Sequence, residues 1–275
     1  MKLFDTHFHF SGDTTPAEYS NLIGSDMVRA TERAGMAETP ELWLTAVGGD
    51  YLESVRAGEF AAVTPRCFFA AGVHPHEAAA FLTERRDFSP FRDDPRLVAV
   101  GELGLDYYYE LSDRDAQRRV FAEFLELALL WDLPAIVHLR DRDGAEDAYR
   151  DGAELLEPFA RRGGRFVVHC YAGDREYMDK FLGFGAYVGV TGMATFRAAE
   201  NIRANLAAIP DDRLLIETDS PYLAPVPFRG SSNSPGMLPL VAGAAAHVRG
   251  AEIEEIAELT WRNALEFYRI DGGDL

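Results

Sequence analysis

Short apolar segments recur along the chain, each followed by a stretch with helical character. Most of these segments are continuously apolar instead of alternating, which is typical of parallel strands covered on both faces. The pattern therefore predicts eight parallel β-strands. Their predicted ranges are 2–8, 41–47, 66–73, 97–103, 134–139, 165–170, 186–191 and 214–218.

The segments between the strands show the spacing of helices with one apolar face. The clearest is 112–132, where Ser112 and Asp113 can cap the first turn and apolar side chains recur at helical spacing. The pattern predicts five further helices. They cover 143–162, 174–184, 198–208, 237–249 and 252–269.

Eight strands alternating with helices predict an α/β fold. Over 275 residues they leave about 34 residues for each unit, close to the ~30 of a βαβ repeat, and the total suits the ~250 of a barrel. We therefore expect a (β/α)8 TIM-like barrel that forms a single domain over residues 1–275. A doubly wound open sheet is the alternative. It predicts a glycine-rich turn after the first strand, where this chain has His-Phe-His-Phe-Ser at 7–11.

The composition is that of a folded, acidic protein. Hydrophobic residues make up 47% of the chain, which is enough for a sizeable core and excludes wholesale disorder. The 27 basic and 45 acidic residues give a net charge of -18. This charge argues against a general nucleic-acid binder, because such proteins present a basic face. It still allows a site that holds phosphate through metal ions.

Targeting signals and cysteines add an expectation about location. No apolar run approaches the ~18 residues that a transmembrane helix needs, and an acid at Asp5 interrupts any apolar signal segment. Cys67 and Cys170 cannot form a disulfide framework, so a reducing compartment is expected. We expect a cytoplasmic protein with no membrane partner, and the sequence predicts no protein partner.

Histidines concentrate where the predicted strands end. Six of the seven lie at or just past a strand's carboxyl end, and in a barrel these ends form one mouth. Glu102 and Asp219 lie at two further ends. The six histidines are His7, His9, His74, His76, His138 and His169. We assign His247 to a surface helix and His76 mainly to packing, because a single histidine at a strand end is usually structural.

Four of these imidazoles and the two carboxylates offer more ligands than one tetrahedral zinc requires. They suit two metal ions about 3.5–4 Å apart, bridged by a carboxylate. Mixed nitrogen and oxygen ligands favour Zn, Mn, Fe or Ni over Ca. The only lysines, Lys2 and Lys180, cannot reach the mouth to form a carbamate bridge. A carboxylate is therefore the candidate bridge, and the strand ends leave open whether it is Glu102 or Asp219. The predicted ligands are His7, His9, Glu102, His138, His169 and Asp219.

Taken in order, the strand-end motifs resemble the TatD family of metal-dependent deoxyribonucleases, within the amidohydrolase-like barrels. The resemblance runs along the whole chain. The motifs are DTHFH at 5–9, GVHPH at 72–76, GELGLDY at 101–107, PAIVHLRD at 134–141, HCYAG at 169–173, ETDSPYLAP at 217–225, and Thr260, Asn263, Ala264 and Phe267 near the end.

The resemblance implies a metal-dependent hydrolase of phosphodiester bonds, usually those of DNA. It implies that His7, His9 and Asp219 bind one divalent ion, that Glu102 bridges, and that His138 and His169 bind a second. The native ions are expected to be two from among Zn, Mn, Mg, Fe and Ni. This assignment agrees with the ligand set taken from the strand ends.

The expected mechanism is attack of a metal-activated water on phosphorus. Asp219 would ligate metal and orient or deprotonate that water, and Glu102 would hold both ions. His74 would bind the phosphate or protonate the leaving oxygen, with packing against Pro75 as its structural alternative. Glu217 shares a strand face with Asp219 and is expected to support a ligand histidine or an arginine, or to form an ordinary buried ion pair.

Candidate substrate contacts lie beyond the ligands. Arg140, two residues past His138, could clamp phosphate, or form an outer salt bridge instead. Tyr107 begins a run of three tyrosines that could stack on an unpaired base, although loop packing is the commoner role. In the loop after the eighth strand, Arg229 matches the family pattern and is a further predicted contact with the substrate. Ser231 and Ser234 stand in that loop where TatD relatives often carry lysine and glutamate.

The leading hypothesis is a TatD-type deoxyribonuclease. An amidohydrolase of a small amide, ester or lactone could use the same two-metal site, and a non-catalytic metal-binding scaffold is a third possibility. The missing lysine bridge disfavours the second, and the complete ligand set disfavours the third. Because an acidic protein binds long duplex DNA weakly, we expect single-stranded or end-presenting substrates.

Overall fold

Eight parallel strands form one sheet in which each strand pairs with the next along the chain. The computed structural model describes residues 1–272. The strands are β1 (Lys2–Phe8), β2 (Glu41–Val47), β3 (Cys67–Ala71), β4 (Leu97–Asp106), β5 (Ala135–Arg140), β6 (Phe166–Val168), β7 (Tyr187–Val190) and β8 (Leu214–Ile216). All eight predicted strands are present, and the (β/α)8 barrel is confirmed. β4 continues to Asp106, three residues past its predicted end, so Glu102 lies within the strand.

Helices follow the strands around the barrel. They are α1 (Pro16–Ala34), α2 (Tyr51–Val63), α3 (Ala78–Glu84), α4 (Arg114–Trp131), α5 (Asp147–Arg161), α6 (Arg175–Gly183), α7 (Glu200–Ala208), α8 (Leu238–Arg249) and α9 (Ile253–Tyr268). Asp113 caps α4 by accepting from the Ala116 amide. Ser112 does not cap. Its hydroxyl donates to the His76 carbonyl at 2.7 Å instead. In the described residues, no helix is long and apolar enough to cross a bilayer.

The first and last strands meet at the carboxyl end of the barrel through loop and side-chain contacts. The Asp219 amide donates to the His7 carbonyl at 2.9 Å, and the His9 amide donates to the Ser220 carbonyl at 2.7 Å. The buried Asp5 carboxylate accepts from the backbone amide of Thr218 at 2.8 Å. Burial raises the pKa of Asp5 well above its usual value despite these hydrogen bonds. The seam therefore aligns the β1 histidines with Asp219.

An apolar cluster fills the amino-terminal end of the barrel. Every strand contributes to it a side chain from one of its first three positions, such as Phe4, Trp43 and Phe68. Phe267 and Tyr268 of α9 pack against the cluster, and the Tyr268 hydroxyl donates to the Thr6 carbonyl at 2.6 Å. The barrel is thus closed at this end, and polar groups collect at the other.

Candidate metal centre

The six predicted ligands meet at the carboxyl end of the barrel. Their side chains lie at or just past the ends of β1, β5, β6 and β8, or within β4. Asp219 lies three residues beyond β8 in a left-handed conformation, with φ of 53°. His7, Glu102 and His169 are buried, whereas His9, His138 and Asp219 are partly exposed to the cleft. Residues up to 212 positions apart in the chain, His7 and Asp219, therefore share one site, where His7 Nε2 lies 3.8 Å from Asp219 Oδ1.

Glu102 lies between two sets of ring nitrogens. Its Oε1 is 2.9 Å from His138 Nδ1 and 2.9 Å from His169 Nε2. Its Oε2 is 3.5 Å from the Nε2 atoms of both His7 and His9. Asp219 Oδ1 lies on the second side, 3.6 Å from His9 Nε2. The ring nitrogens of four histidines therefore surround one carboxylate, two rings at each of its oxygens.

The chemistry of these donors fits divalent cations. His7 Nε2 and His9 Nε2 are only 3.1 Å apart, and both face carboxylate oxygens. The ligand atoms of His7, His9 and Glu102 all lie within 4.8 Å of one another, as do those of His7, His169 and Asp219. Imidazole and carboxylate together suit transition-metal ions.

The hydrogen-bond partners of the histidines determine which ring nitrogen is free to bind a metal. His9 Nδ1 lies 2.9 Å from the Val47 carbonyl, which can only accept, so the free lone pair is on Nε2. His169 is oriented in the same way by Glu217, whose Oε1 is 3.2 Å from its Nδ1. His138 is reversed, because its Nε2 faces Asp106 Oδ2 at 3.3 Å. Each of these rings presents a free nitrogen towards Glu102 or Asp219.

Asp106 is a site residue that the sequence reasoning missed. Its Oδ2 contacts His138 Nε2 and also lies 3.0 Å from His76 Nε2. Its Oδ1 accepts from the backbone amides of Tyr108 and Tyr109 at 3.0 and 2.8 Å. Asp106 lies four residues after Glu102 on the same strand, and strand periodicity places both on one face. That spacing was the available signal.

His74 differs from the four ligand histidines. Its Nδ1 accepts from the backbone amide of His76 at 3.2 Å, so the proton of the neutral ring is on Nε2. Nε2 is 3.9 Å from Glu102 Oε1 and belongs to a side chain that lines the cleft. Burial lowers the pKa of His74 well below its usual value. The Glu102 carboxylate acts to raise this pKa, whereas the neighbouring His138 and His76 lower it further. His74 therefore presents an N–H donor to the cleft.

The two carboxylates of the cluster remain ionised. Burial acts to raise the pKa of Glu102, but electrostatic interactions with the surrounding imidazoles, above all His169, and the hydrogen bond with His138 outweigh it, and the pKa lies well below its usual value. For Asp219, burial is likewise outweighed, mainly by the hydrogen bond with His9, and the pKa is lowered. Buried anions of this kind require a positive partner.

A cleft of about 1290 Å³ opens above the cluster. Arg140 and Arg229 both line it. The Arg140 guanidinium lies 4.4 and 4.9 Å from the ring centroids of Tyr108 and Tyr109. Among residues 1–272 no carboxylate lies within 4.0 Å of Arg140, so the outer salt bridge considered from sequence is not formed. The Arg229 guanidinium lies 3.7 Å from the Phe196 ring centroid.

The expectation that Tyr107 contacts substrate is wrong. Its side chain is fully buried, and its hydroxyl donates to Asp151 Oδ2 at 2.9 Å. The Arg114 guanidinium covers the ring at 4.0 Å. Successive side chains of a strand point to opposite faces, so at the end of β4 Tyr107 points towards the surrounding helices while Asp106 points into the mouth. The next two residues, Tyr108 and Tyr109, line the cleft instead.

The loop after β8 places Ser231 and Ser234 in different environments. The Ser234 hydroxyl donates to Asp26 Oδ2 at 2.6 Å in a buried position. Asn233 supports the same loop, with Nδ2 donating to the carbonyls of Thr218 and Tyr222. Ser231 is exposed and lines the cleft. Of the two departures from the family pattern, only Ser231 therefore faces the site.

Comparison with known proteins identifies relatives of the whole chain. A family model described as TatD related DNase matches residues 4–269. The uncharacterized metal-dependent hydrolase YabD of Bacillus subtilis (strain 168) is 33% identical, over 98% of this chain and 100% of its own. The 3'-5' ssDNA/RNA exonuclease TatD of Pantoea vagans (strain C9-1) is 34% identical, over 91% and 96% of the two chains. The crystal structure of YjjV, a TatD homolog from Escherichia coli K12, superposes with a TM-score of 0.77 at 26% identity, covering 98% of each chain.

Proposed function

Because the chain belongs to the TatD family and is a metal-dependent hydrolase acting on ester bonds, we propose that it cleaves phosphodiester bonds of single-stranded or end-presenting DNA. The observation that carries this proposal is the position of Glu102 between two pairs of histidine nitrogens. The Pantoea relative is named for 3'-5' action on single-stranded DNA and RNA. We propose the same 3'-to-5' direction of cleavage for this chain.

The proposed cofactor is a pair of divalent ions. His7, His9 and Asp219 would hold one, His138 and His169 the other, and Glu102 both. When bound, such ions lower the pKa of water and neutralise charge on a phosphoryl group. Nitrogen-rich coordination favours Zn, Mn, Fe or Ni, and Mg fits less well because it prefers oxygen ligands.

The side chains around this centre have distinct proposed roles. Asp219 is ionised and borders the cleft, so its carboxylate can orient the attacking water and accept its proton. Because the ring is neutral, the His74 Nε2–H would donate a hydrogen bond, and not a proton, to a phosphoryl oxygen or to the leaving oxygen. A neutral donor suits this position because it adds no charge next to the metal ions.

Two carboxylates act through the histidines. Glu217 holds His169 by its Nδ1, and Asp106 holds His138 by its Nε2. Both therefore act as positioning residues that present an unprotonated nitrogen to metal. Arg229, which lines the cleft on the loop after β8, would contact a neighbouring phosphate of the substrate.

The charge distribution favours short substrates. The overall charge of -18 opposes binding of long duplex DNA, whose affinity depends on many phosphate contacts. We propose that the enzyme acts on the exposed end of a strand, in the cytoplasm, and without a protein partner. Both cysteines are free thiols, which is compatible with a reducing compartment.

The test combines metal analysis with a substrate panel. The purified protein is assayed on 3'-labelled and 5'-labelled single-stranded DNA, on a chromogenic phosphodiester and on small amides, before and after chelation. We expect DNA cleavage from the 3' end that a chelator abolishes and added Mn restores. Cleavage of amides alone would establish the amidohydrolase instead. Full DNA cleavage by metal-free protein would contradict the proposed centre.

A further inference from the structure

We propose that Tyr108, Tyr109 and Arg140 form a stacking platform for one unpaired nucleobase of the substrate, beside the metal centre. This inference rests on the proposed phosphodiesterase function. It assigns the part of the substrate that is recognised in addition to phosphate. The three residues are referred to below as the stacking platform.

The platform presents flat surfaces to the cleft. Tyr108 and Tyr109 are 42% and 52% exposed, although the adjacent Tyr107 is fully buried. Their ring centroids are 4.7 Å apart with planes at 78°. The Arg140 guanidinium lies over both rings. All three line the cleft that also contains Glu102 and Asp219. Aromatic rings and guanidinium planes are the groups on which unpaired bases stack.

Hydrogen bonds fix the platform relative to the metal ligands. Asp106 holds the backbone amides of Tyr108 and Tyr109 with one carboxylate oxygen and His138 with the other. Asp106 and Arg140 are paired in the β4–β5 register. Arg140 is also two residues after His138 on β5, so both point to the same side. The platform is thereby ordered before substrate binds, which lowers the entropic cost of binding.

The surroundings favour a base over a second phosphate. The loop after β5 places three acids, Asp141, Asp143 and Glu146, in the cleft wall with one basic residue, Arg142, whose guanidinium lies 3.7 Å from the Glu110 carboxylate. These acids oppose another anion but not an uncharged base. A base within a duplex is already stacked and cannot reach the platform without leaving the helix. The platform therefore selects for single-stranded ends.

The test crosses protein variants with substrate variants. The platform variant is Tyr108→Leu with Tyr109→Leu. The matched control, Tyr108→Phe with Tyr109→Phe, keeps both rings. Each protein is assayed on a single-stranded oligonucleotide and on oligonucleotides with an abasic residue at each terminal position in turn. Thermal melting checks that each variant is folded. The melting temperature should change little, because both side chains are exposed.

We expect one abasic position to raise the wild-type KM about tenfold, which is typical of one lost base–aromatic stack. The leucine variant should raise KM for the intact oligonucleotide by a similar factor and respond no further to base removal, with kcat changed little. The phenylalanine control should resemble the wild type. Such non-additivity identifies a direct contact between ring and base.

Binding of a 2-aminopurine oligonucleotide separates failure of the platform from failure of the enzyme. Fluorescence of this base falls when it stacks, and the measurement does not need hydrolysis. If DNA is cleaved but neither base removal nor the leucine variant changes KM, the platform is wrong and the proposed function stands. If no phosphodiester is cleaved but quenching occurs on wild type and not on the leucine variant, the platform stands without the function. Absence of both overturns both.

Discussion

Both ends of the barrel bury side chains of the same strand, but the buried groups are chemically opposite. On β1, Phe4 is 1% exposed at the amino-terminal end and His7 is 0% exposed near the carboxyl end. Phe4 packs against Trp43, Phe68 and Tyr268, with ring centroids 5.6–6.2 Å away. His7 faces a second histidine and two carboxylates. Burial alone therefore does not distinguish core from site, and the partners of each buried group do.

This difference separates stability from function along the same strands. Burial of aromatic side chains at the amino-terminal end of the barrel, called the lower end below, stabilises the fold without requiring a ligand. The carboxyl end, called the upper end below, buries carboxylates and imidazoles, which costs free energy unless they are paired or bound to metal. Changes at the upper end should therefore affect metal binding and catalysis, and changes at the lower end should affect unfolding.

The largest expected effect is on Glu102. Glu102→Gln keeps the shape of the side chain but removes the charge shared by the two pairs of histidine nitrogens. We expect kcat/KM for single-stranded DNA to fall about 10³-fold, because metal binding supplies several kcal/mol and each 1.36 kcal/mol is tenfold. Metal content should fall in parallel, as measured by elemental analysis. Glu123→Gln, on an exposed α4 carboxylate paired with Arg85, is the control. Retained activity in the Glu102 variant would remove Glu102 from the mechanism.

The lower end should show the reverse pattern. Phe267→Ala removes a fully buried ring of α9 and should lower the free energy of unfolding by about 3–5 kcal/mol. Urea denaturation of the metal-loaded protein measures this. Below the melting transition, kcat should stay near the wild-type value. Phe267→Leu offers a milder version if the alanine variant does not fold.

Leu130→Ala provides the matched control for that experiment. Leu130 is 69% exposed on α4, and its truncation should change the unfolding free energy by no more than about 0.5 kcal/mol. A folded Phe267 variant that had lost its metal would show that the two ends are coupled. The proposed separation would then be wrong.

The smallest expected effect is on Asp106, which contacts a metal ligand without belonging to the ligand set. Asp106→Ala should weaken metal affinity or activity about 10–100-fold, because His138 loses the acceptor that keeps its proton on Nε2. Asp106→Asn retains an acceptor oxygen and should restore part of the affinity. Metal titration by calorimetry gives the readout. Unchanged affinity in the alanine variant would leave Asp106 a purely structural residue.

Much of the fold was predictable because its signals are local. A continuous apolar run and a helical period are properties of a few neighbouring residues, and they located all eight strands and the helices from α4 onward. The sequence pattern predicts no bounds for α1, α2 and α3. The convergence of the six predicted ligand side chains was also predictable, since in a parallel barrel every carboxyl strand end lies at the same mouth.

The wrong prediction for Tyr107 concerns the direction in which side chains point just after the end of β4. Strand alternation turns Tyr107 away from the mouth, but this signal was missed because the strand was predicted to end at residue 103 and not at Asp106. The orientation of Tyr108 and Tyr109 comes from the hydrogen bonds of Asp106 to their backbone amides. Arg140 is comparable, because its position over the tyrosines depends on the β4–β5 register.

The sequence by itself determined the order of elements, the residue types at each strand end and the absence of a lysine bridge. Only the tertiary structure decided which nitrogen His9, His138 and His169 present and which carboxylate oxygen faces it. The partners that set these choices lie far away in the chain, as Val47 does for His9, Glu217 for His169 and Asp106 for His138. Hydrogen bonds depend on distance and direction in space, and these are established only when the barrel closes.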